Sequence, residues 1–305
     1  MDHRWPRYDP SLQALLHPEE RHPLGLYSAG DDWPFEAVCA EFARLAYFRF
    51  ETEAGRRQLS TALEQAGFGA PACFRSDVPS SGNWFRRKLH ALRDRDAQAF
   101  GATSSDGALT LLAFRGTQAD RPTDLITDLS AWRTRFPKGG KVHTGFWTAY
   151  RQLHDQIHAW LAEMRPKRLV VTGHSLGAAM ATLMAALHEE AELVTFGCPL
   201  VGNREFVSRL RPRSLRFVGC TDMVTTVPYR FLGYAHPGEL LYIDRRGVVH
   251  RPAPDATAME QDRARAKRDY RRAYGGAGNV PVRHFADHSP VNYVSAVAGK
   301  RPPAL

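Results

Sequence analysis

A short β-branched run, Arg168-Leu169-Val170-Val171-Thr172, leads directly into Gly173-His174-Ser175-Leu176-Gly177, and the helix formers of Ala178 to His188 follow at once. This strand, turn and helix in immediate succession constrain the fold more than any other stretch of the chain. A serine at such a turn is lifted out of both elements. The flanking glycines matter because strand and helix approach each other there more closely than a Cβ would permit. Taken by its spacing alone, the serine could equally be a helix N-cap held between two glycines.

The neighbouring sequence repeats the alternation. Phe35 to Phe50 carries apolar residues at helical spacing. Ala97–Ala102 and Ala108–Phe114 read as strands around Ser104-Ser105-Asp106-Gly107, whose Asp-Gly favours a hairpin turn. Gly145 to Met164 reads as one long helix, and Leu193–Phe196 and Leu215–Val218 as short strands, each followed by a glycine. Strands alternating with helices predict an α/β fold with a mainly parallel central sheet flanked by helices. The 305 residues fit one domain, 1–305, with irregular appendages. Those appendages are 1–32 and a charged insertion at 251–282, which contains Asp262-Arg-Ala-Arg-Ala-Lys-Arg-Asp-Tyr-Arg-Arg272 and reads as a solvated helix or loop.

The candidate chemistry centres on Ser175. A hydroxyl attacks only when it is exposed, oriented and served by a base, and a sharp turn before a helix N-terminus meets the first two needs. The Leu176 amide at that terminus is the first candidate donor to a developing oxyanion. A second donor is expected from an earlier strand end, and Leu111-Leu-Ala-Phe-Arg-Gly-Thr117 offers one, although by itself this reads as a strand ending in a turn. The acid is expected after a later strand. Asp222 stands there, just past Leu215 to Gly219, with Asp244 as the fallback. The base is expected further on, because histidine titrates near neutrality. His236, His250, His284 and His288 all follow Asp222. His288, opening a predicted final helix, is the first choice and His284 the second.

Bulk properties exclude other classes. Residues 1–30 hold no apolar run of signal-peptide length, and no segment reaches the roughly 18 apolar residues of a membrane span. A cytoplasmic location is therefore expected, with signal-independent export as the alternative. Cys39, Cys73, Cys198 and Cys220 have no metal-type spacing and read as buried free thiols, with a Cys198–Cys220 pair as the other reading. The formal charge of +9 favours encounter with anionic surfaces.

Eight segments occur in an order that resembles the class 3 lipases, the fungal-type triacylglycerol lipase and feruloyl esterase group of the α/β-hydrolase fold. They are LLAFRGT (111–117), DLITDL (124–129), VHTGFWTAY (142–150), VTGHSLGAAMA (171–181), VTFGCPLVGN (194–203), DMVTTVPY (222–229), GYAHPGE (233–239) and DHSPVNY (287–293). The resemblance implies an acyl-enzyme mechanism with Ser175, Asp222 and His288 as triad and Thr117 and Leu176 as oxyanion donors, without metal or organic cofactor. It favours His288 over His284. Leu200 departs from the arginine common at that place, and the first hundred residues match only generally.

The resemblance also implies that 118–132 forms a lid. Leu125, Ile126, Leu129 and Trp132 share one helical face there, although a permanently packed surface helix would show the same pattern. The expected function is hydrolysis of lipid carboxylic esters, acylglycerol or phospholipid, with peripheral contact to an anionic membrane surface. Soluble esters or thioesters, or a peptidase activity, are the alternatives within the same chemistry. The alternative of another class is an inactive hydrolase scaffold binding nucleic acid or a partner through 262–272. Retention of all three triad candidates argues against that scaffold, so no nucleic acid is expected.

Overall fold

In the computed structural model, residues 7–76, 97–117, 132–210 and 213–299 are described. Twelve strands among them form two sheets: β1 (Ala72–Arg75), β2 (Gln98–Thr103), β3 (Thr110–Phe114), β4 (Arg133–Arg135), β5 (Lys141–His143), β6 (Leu169–His174), β7 (Glu192–Phe196), β8 (Gly202–Asn203), β9 (Ser214–Gly219), β10 (Tyr234–Ala235), β11 (Glu239–Ile243) and β12 (Val249–His250). The larger sheet has the order β1-β2-β3-β6-β7-β9-β11-β12. Its five central strands, β3 to β11, are parallel, and antiparallel strands close both edges. The smaller sheet, β10-β8-β5-β4, is antiparallel throughout.

Side-chain alternation along the parallel strands divides the core in two. Leu111 and Ala113 of β3 point to one face, with Val170 of β6, Val194 and Phe196 of β7 and Leu215 and Phe217 of β9. Leu112 and Phe114 point to the other, with Leu169 and Val171. The first face is covered by the helices Phe35–Leu45 and Pro290–Val297, and the second by Thr144–Arg151, His154–Met164 and Leu176–Leu187. Parallel strands buried on both faces explain why their sequences read as continuous apolar runs.

Two elements differ from expectation at their ends, and a third takes one of its two expected forms. The first helix stops at Leu45, and Phe48 and Phe50 are buried from a tightened turn rather than from further helix. Apolar spacing continued past the helix because the core did. The long helix expected over 145–164 breaks around Gln152 and Leu153, where amides bond three residues back; the bend keeps Phe146, Tyr150, Leu153 and Ile157 all on one core. The charged 251–282 stretch contains the helix Ala256–Tyr274, whose N-cap Asp255 accepts from the Ala258 amide and which buries only Ala266 and Tyr270.

Residues 7–32 carry two short helices, Leu12–Leu16 and Pro18–Arg21, in otherwise irregular chain. They are bound to the C-terminal part. Asp9 and Asn292 exchange two hydrogen bonds, of 2.6 and 2.9 Å, and Ser289 donates to the Ala14 carbonyl at 2.7 Å. Residues 118–131, where the lid was expected, lie outside the described residues; Trp132 at the end of that stretch is exposed. No described helix is long and apolar enough to cross a membrane. All four cysteines are free, so Cys198 and Cys220 do not pair. Their thiols face the Pro199 carbonyl and the Asp262 carboxylate respectively.

Candidate active site

Ser175 sits between β6 and the helix Leu176–Leu187 with φ 59° and ψ −128°, a conformation that costs a non-glycine residue about 1–3 kcal/mol. Its side chain makes no capping hydrogen bond, which disposes of the N-cap reading. The backbone is held instead by the Ser175 amide, which donates to the Phe196 carbonyl at 3.1 Å. Glycines make the turn fit. A Cβ on Gly173 would lie 2.5 Å from the Gly177 backbone, and one on Gly177 would lie 2.1 Å from the Phe114 carbonyl.

The strained turn aims Ser175 Oγ at His288. His288 Nε2 lies 2.9 Å from Ser175 Oγ, and His288 Nδ1 lies 2.9 Å from Asp222 Oδ2. All three residues are buried. A carboxylate only accepts, so Nδ1 carries the imidazole proton and Nε2 is free to take one from the hydroxyl. Asp222 is fixed in turn: its Oδ1 accepts from the Val224 amide at 2.9 Å, and its Oδ2 from Tyr293 Oη at 2.6 Å. The three residues come from the ends of β6 and β9 and from the start of the Pro290–Val297 helix, so the sheet sets their separation.

The rival candidates are engaged elsewhere. His284 Nδ1 faces the Thr221 carbonyl, His236 Nε2 the Thr225 carbonyl and His250 Nε2 the Asp244 carboxylate. Asp244 closes its own turn by accepting from the Arg246 and Val248 amides.

The close approach permitted at Gly177 brings the end of β3 against the start of the nucleophile helix. Beyond it, a Cβ on Gly116 would lie 2.7 Å from the His174 carbonyl, one residue before the serine. Thr117 follows directly, so both expected oxyanion donors lie on segments that flank Ser175. The Leu176 amide belongs to the first turn of its helix, where backbone donors have no partner within the helix.

Sequence reasoning missed the residues behind the triad. Tyr293 has its hydroxyl pinned from the other side by the Gly219 amide at 2.9 Å. Burial and the Asp222 charge hold that phenol far above its ordinary pKa, which keeps it a neutral donor. His174, inside the GHSLG motif itself, reaches the His288 carbonyl with Nε2 at 2.7 Å and Tyr47 Oη with Nδ1 at 2.8 Å. Burial, then the neighbouring His288, keeps it well below the ordinary histidine pKa and so neutral. Asp287 pairs with Arg283 at 3.1 Å and accepts from Tyr8 Oη and from both the amide and the hydroxyl of Thr221. The motifs DHSPVNY, which holds Asp287 and Tyr293, and GHSLG, which holds His174, signal these residues only in retrospect. Their roles depend on contacts with residues far away in the chain.

Fold and site together define an α/β-hydrolase with a serine at the strand-to-helix turn and a histidine and an aspartate in line behind it. Residues 111–232 match the family model described as Lipase (class 3). A secreted mono- and diacylglycerol lipase, LIP1, of Malassezia globosa is 37% identical over 123 residues, 35% of this chain and 40% of that protein. A lipase of Rhizopus oryzae is 32% identical over 161 residues, 47% of this chain and 41% of that protein. The chain thus spans about half or less of the curated relatives it matches. Among solved structures, the lipase from Rhizopus microsporus var. chinensis superposes with a TM-score of 0.52 at 26% identity, over 68% of this chain and 73% of that one. Lipase II from Rhizopus niveus shares the fold, with a TM-score of 0.54 at 24% identity over 68% and 79% of the two chains.

The comparisons correct one expectation. Malassezia relatives are named as secreted lipases, and this overturns the cytoplasmic location.

Proposed function

We propose that the chain hydrolyses carboxylic esters of lipids, acylglycerols first, through an acyl-enzyme on Ser175. The observation that carries this reading is the unbroken line Ser175 Oγ, His288 Nε2, His288 Nδ1, Asp222 Oδ2, with 2.9 Å at each hydrogen bond. His288 takes the hydroxyl proton as Oγ attacks the ester carbonyl, Asp222 steadies the imidazolium, and the amides of Leu176 and Thr117 receive the oxyanion. The proton then passes from His288 to the departing alcohol, and water repeats the sequence to release the acid. The names of the Malassezia and Rhizopus relatives support a lipid ester as substrate.

A cluster of exposed aromatic residues supports contact with an anionic lipid layer. Phe231 is 82% and Trp132 78% exposed, and Tyr229 stacks on Phe231 with ring centroids 5.3 Å apart. Trp132 joins the strand of Tyr234 through its carbonyl, and Arg133 and Arg230 stand next to these aromatics. Aromatic rings flanked by arginine suit a headgroup boundary, where the rings enter the acyl region and the cations meet lipid phosphate.

The test is hydrolysis of p-nitrophenyl esters of increasing acyl length and of a diacylglycerol emulsion, by the native chain and by Ser175→Ala in parallel. Cleavage of medium or long chains that is lost in the variant supports the reading. Cleavage confined to acetate or to thioesters moves the substrate to soluble esters or thioesters. Activity surviving in Ser175→Ala removes the nucleophile.

A further inference from the structure

The helix Ala256–Tyr274 sorts its charges by sign. Its inner side carries the buried Ala266 and Tyr270, and two of its acids turn inward with them. Asp262 Oδ2 accepts from Tyr242 Oη and from the Arg245 amide, both at 2.9 Å, and Asp269 pairs with the Arg245 guanidinium at 3.1 Å. The cations stand opposite. Arg265, Arg268, Arg271 and Arg272 fall on the side away from Ala266 and Tyr270, with Lys267 at the flank, and all five are exposed. The helix's exposed acids, the N-cap Asp255 and Glu260, lie at its other end. Among the described residues none of the five cations pairs with a carboxylate.

Folding does not account for this arrangement. Arg265 and Arg268 are three residues apart, as are Arg268 and Arg271, while Lys267 and Arg271, and Arg268 and Arg272, are four apart. Like charges at these spacings face each other and weaken a helix. Only Arg271 and Arg272, in the last turn, gain from the helix dipole. A surface of phosphates would offset the repulsion.

The anchor of the helix sets where such a surface would lie. Arg263 donates to the Cys220 carbonyl at 2.9 Å, and Cys220 follows β9 just as Arg245 comes after β11. Ser175 follows β6, Asp222 comes after β9, and β6, β7, β9 and β11 run parallel. The helix is therefore fixed at the end of the sheet that carries the triad.

We propose that the arginine face of Ala256–Tyr274 docks the chain on an anionic lipid surface, its guanidinium groups meeting the phosphates of headgroups such as phosphatidylglycerol. The inference rests on a lipid ester as substrate and adds a docking element separate from the exposed aromatics. A nucleic acid backbone also complements the charge. The helix offers no ring on which bases could stack, however, because its two aromatic residues, Tyr270 and Tyr274, pack on each other with centroids 5.2 Å apart.

Binding is measured on the full chain carrying Ser175→Ala, so that no lipid is consumed, with phosphatidylcholine vesicles with and without phosphatidylglycerol. One variant combines Arg265→Gln, Arg268→Gln and Arg272→Gln, and a second combines Arg265→Lys, Arg268→Lys and Arg272→Lys. Each basic residue at an anionic surface is worth about fivefold in binding. The glutamine variant is therefore expected to bind phosphatidylglycerol vesicles on the order of 100-fold more weakly at low salt, and the lysine variant to keep most of the affinity. Added salt should weaken binding of the unsubstituted face steeply. With Ser175 restored, p-nitrophenyl acetate hydrolysis and the unfolding temperature are expected to match the native chain, which separates lost docking from a damaged fold. Arginine-dependent binding by a chain that cleaves no ester would uphold the docking face while removing the lipase reading. Undiminished binding by the glutamine variant, or binding indifferent to phosphatidylglycerol, overturns the proposal. Tighter binding of duplex DNA than of phosphatidylglycerol vesicles at equal salt overturns it in favour of nucleic acid.

Discussion

Tyr293 Oη lies 2.6 Å from Asp222 Oδ2 while accepting from the Gly219 amide, so one phenol ties the triad acid to the strand that carries it. Asp222 therefore has its orientation set from three directions, by Tyr293, the Val224 amide and His288.

Tyr293→Phe removes that donor and leaves the packing volume nearly unchanged. A hydrogen bond to a buried charge is worth about 1.5–3 kcal/mol, and part of it acts through the orientation of His288. We expect kcat for a p-nitrophenyl ester to fall roughly tenfold, with KM little altered and the chain still folded. Steady-state kinetics with a thermal unfolding control checks this; an unchanged kcat would show that the Val224 amide suffices.

The difference between what the sequence disclosed and what it hid follows from range. Ser175 is legible because a strand, a glycine-bracketed turn and a helix lie in contiguous residues, and each of them is local. Asp222 and His288 are legible because they follow a strand and precede a helix in the order the fold requires. Tyr293, His174 and Asp287 work through partners 71, 114 and 66 residues away, at Asp222, His288 and Thr221, and no periodicity marks such pairs. Helix ends were misjudged for a related reason. Phe48 and Phe50 are apolar because the core receives them, whether or not the backbone around them is helical.

Gly177→Ala places a methyl group 2.1 Å from the Phe114 carbonyl, where the obstacle is backbone. The strand end and the helix start must separate, at a cost of about 1–3 kcal/mol or more. A drop of several degrees in the unfolding temperature is expected, together with loss of most activity because the Thr117 segment moves away from Ser175. Calorimetry and ester hydrolysis on the same preparation report both, and a variant of native stability would refute the close approach.

The Thr117 amide is tested by exchanging the backbone donor. Thr117→Pro deletes the N–H, and loss of one oxyanion donor costs about 100- to 1000-fold in kcat. Thr117→Ser keeps the amide and a hydroxyl, and is expected to stay within a few-fold of native. Equal activity of the proline and serine variants would exclude this donor.

Acid should destabilise the fold through buried neutral histidines. His174 titrates well below its ordinary value because of burial and then His288, and burial lowers His236 to about 3. Below an unfolded-state pKa of about 6.5 the unfolded chain binds these protons and the folded chain does not. Stability is therefore full above that value and is lost as pH falls toward the folded-state values. Each histidine contributes a slope of up to about 1.4 kcal/mol per pH unit. Denaturant unfolding between pH 7.5 and 5 should show this decline; a flat profile would mean that the histidines protonate in the folded state.

The central claim is that Ser175 is the nucleophile of an acyl-enzyme served by His288. Its most direct test is the intact mass of the chain after exposure to a p-nitrophenyl alkylphosphonate, with peptide mapping of the adduct. The account predicts one adduct per chain, located on Ser175, and its absence from Ser175→Ala and from native chain unfolded before exposure. A native chain that acquires no adduct, or one that maps to another residue, would contradict it.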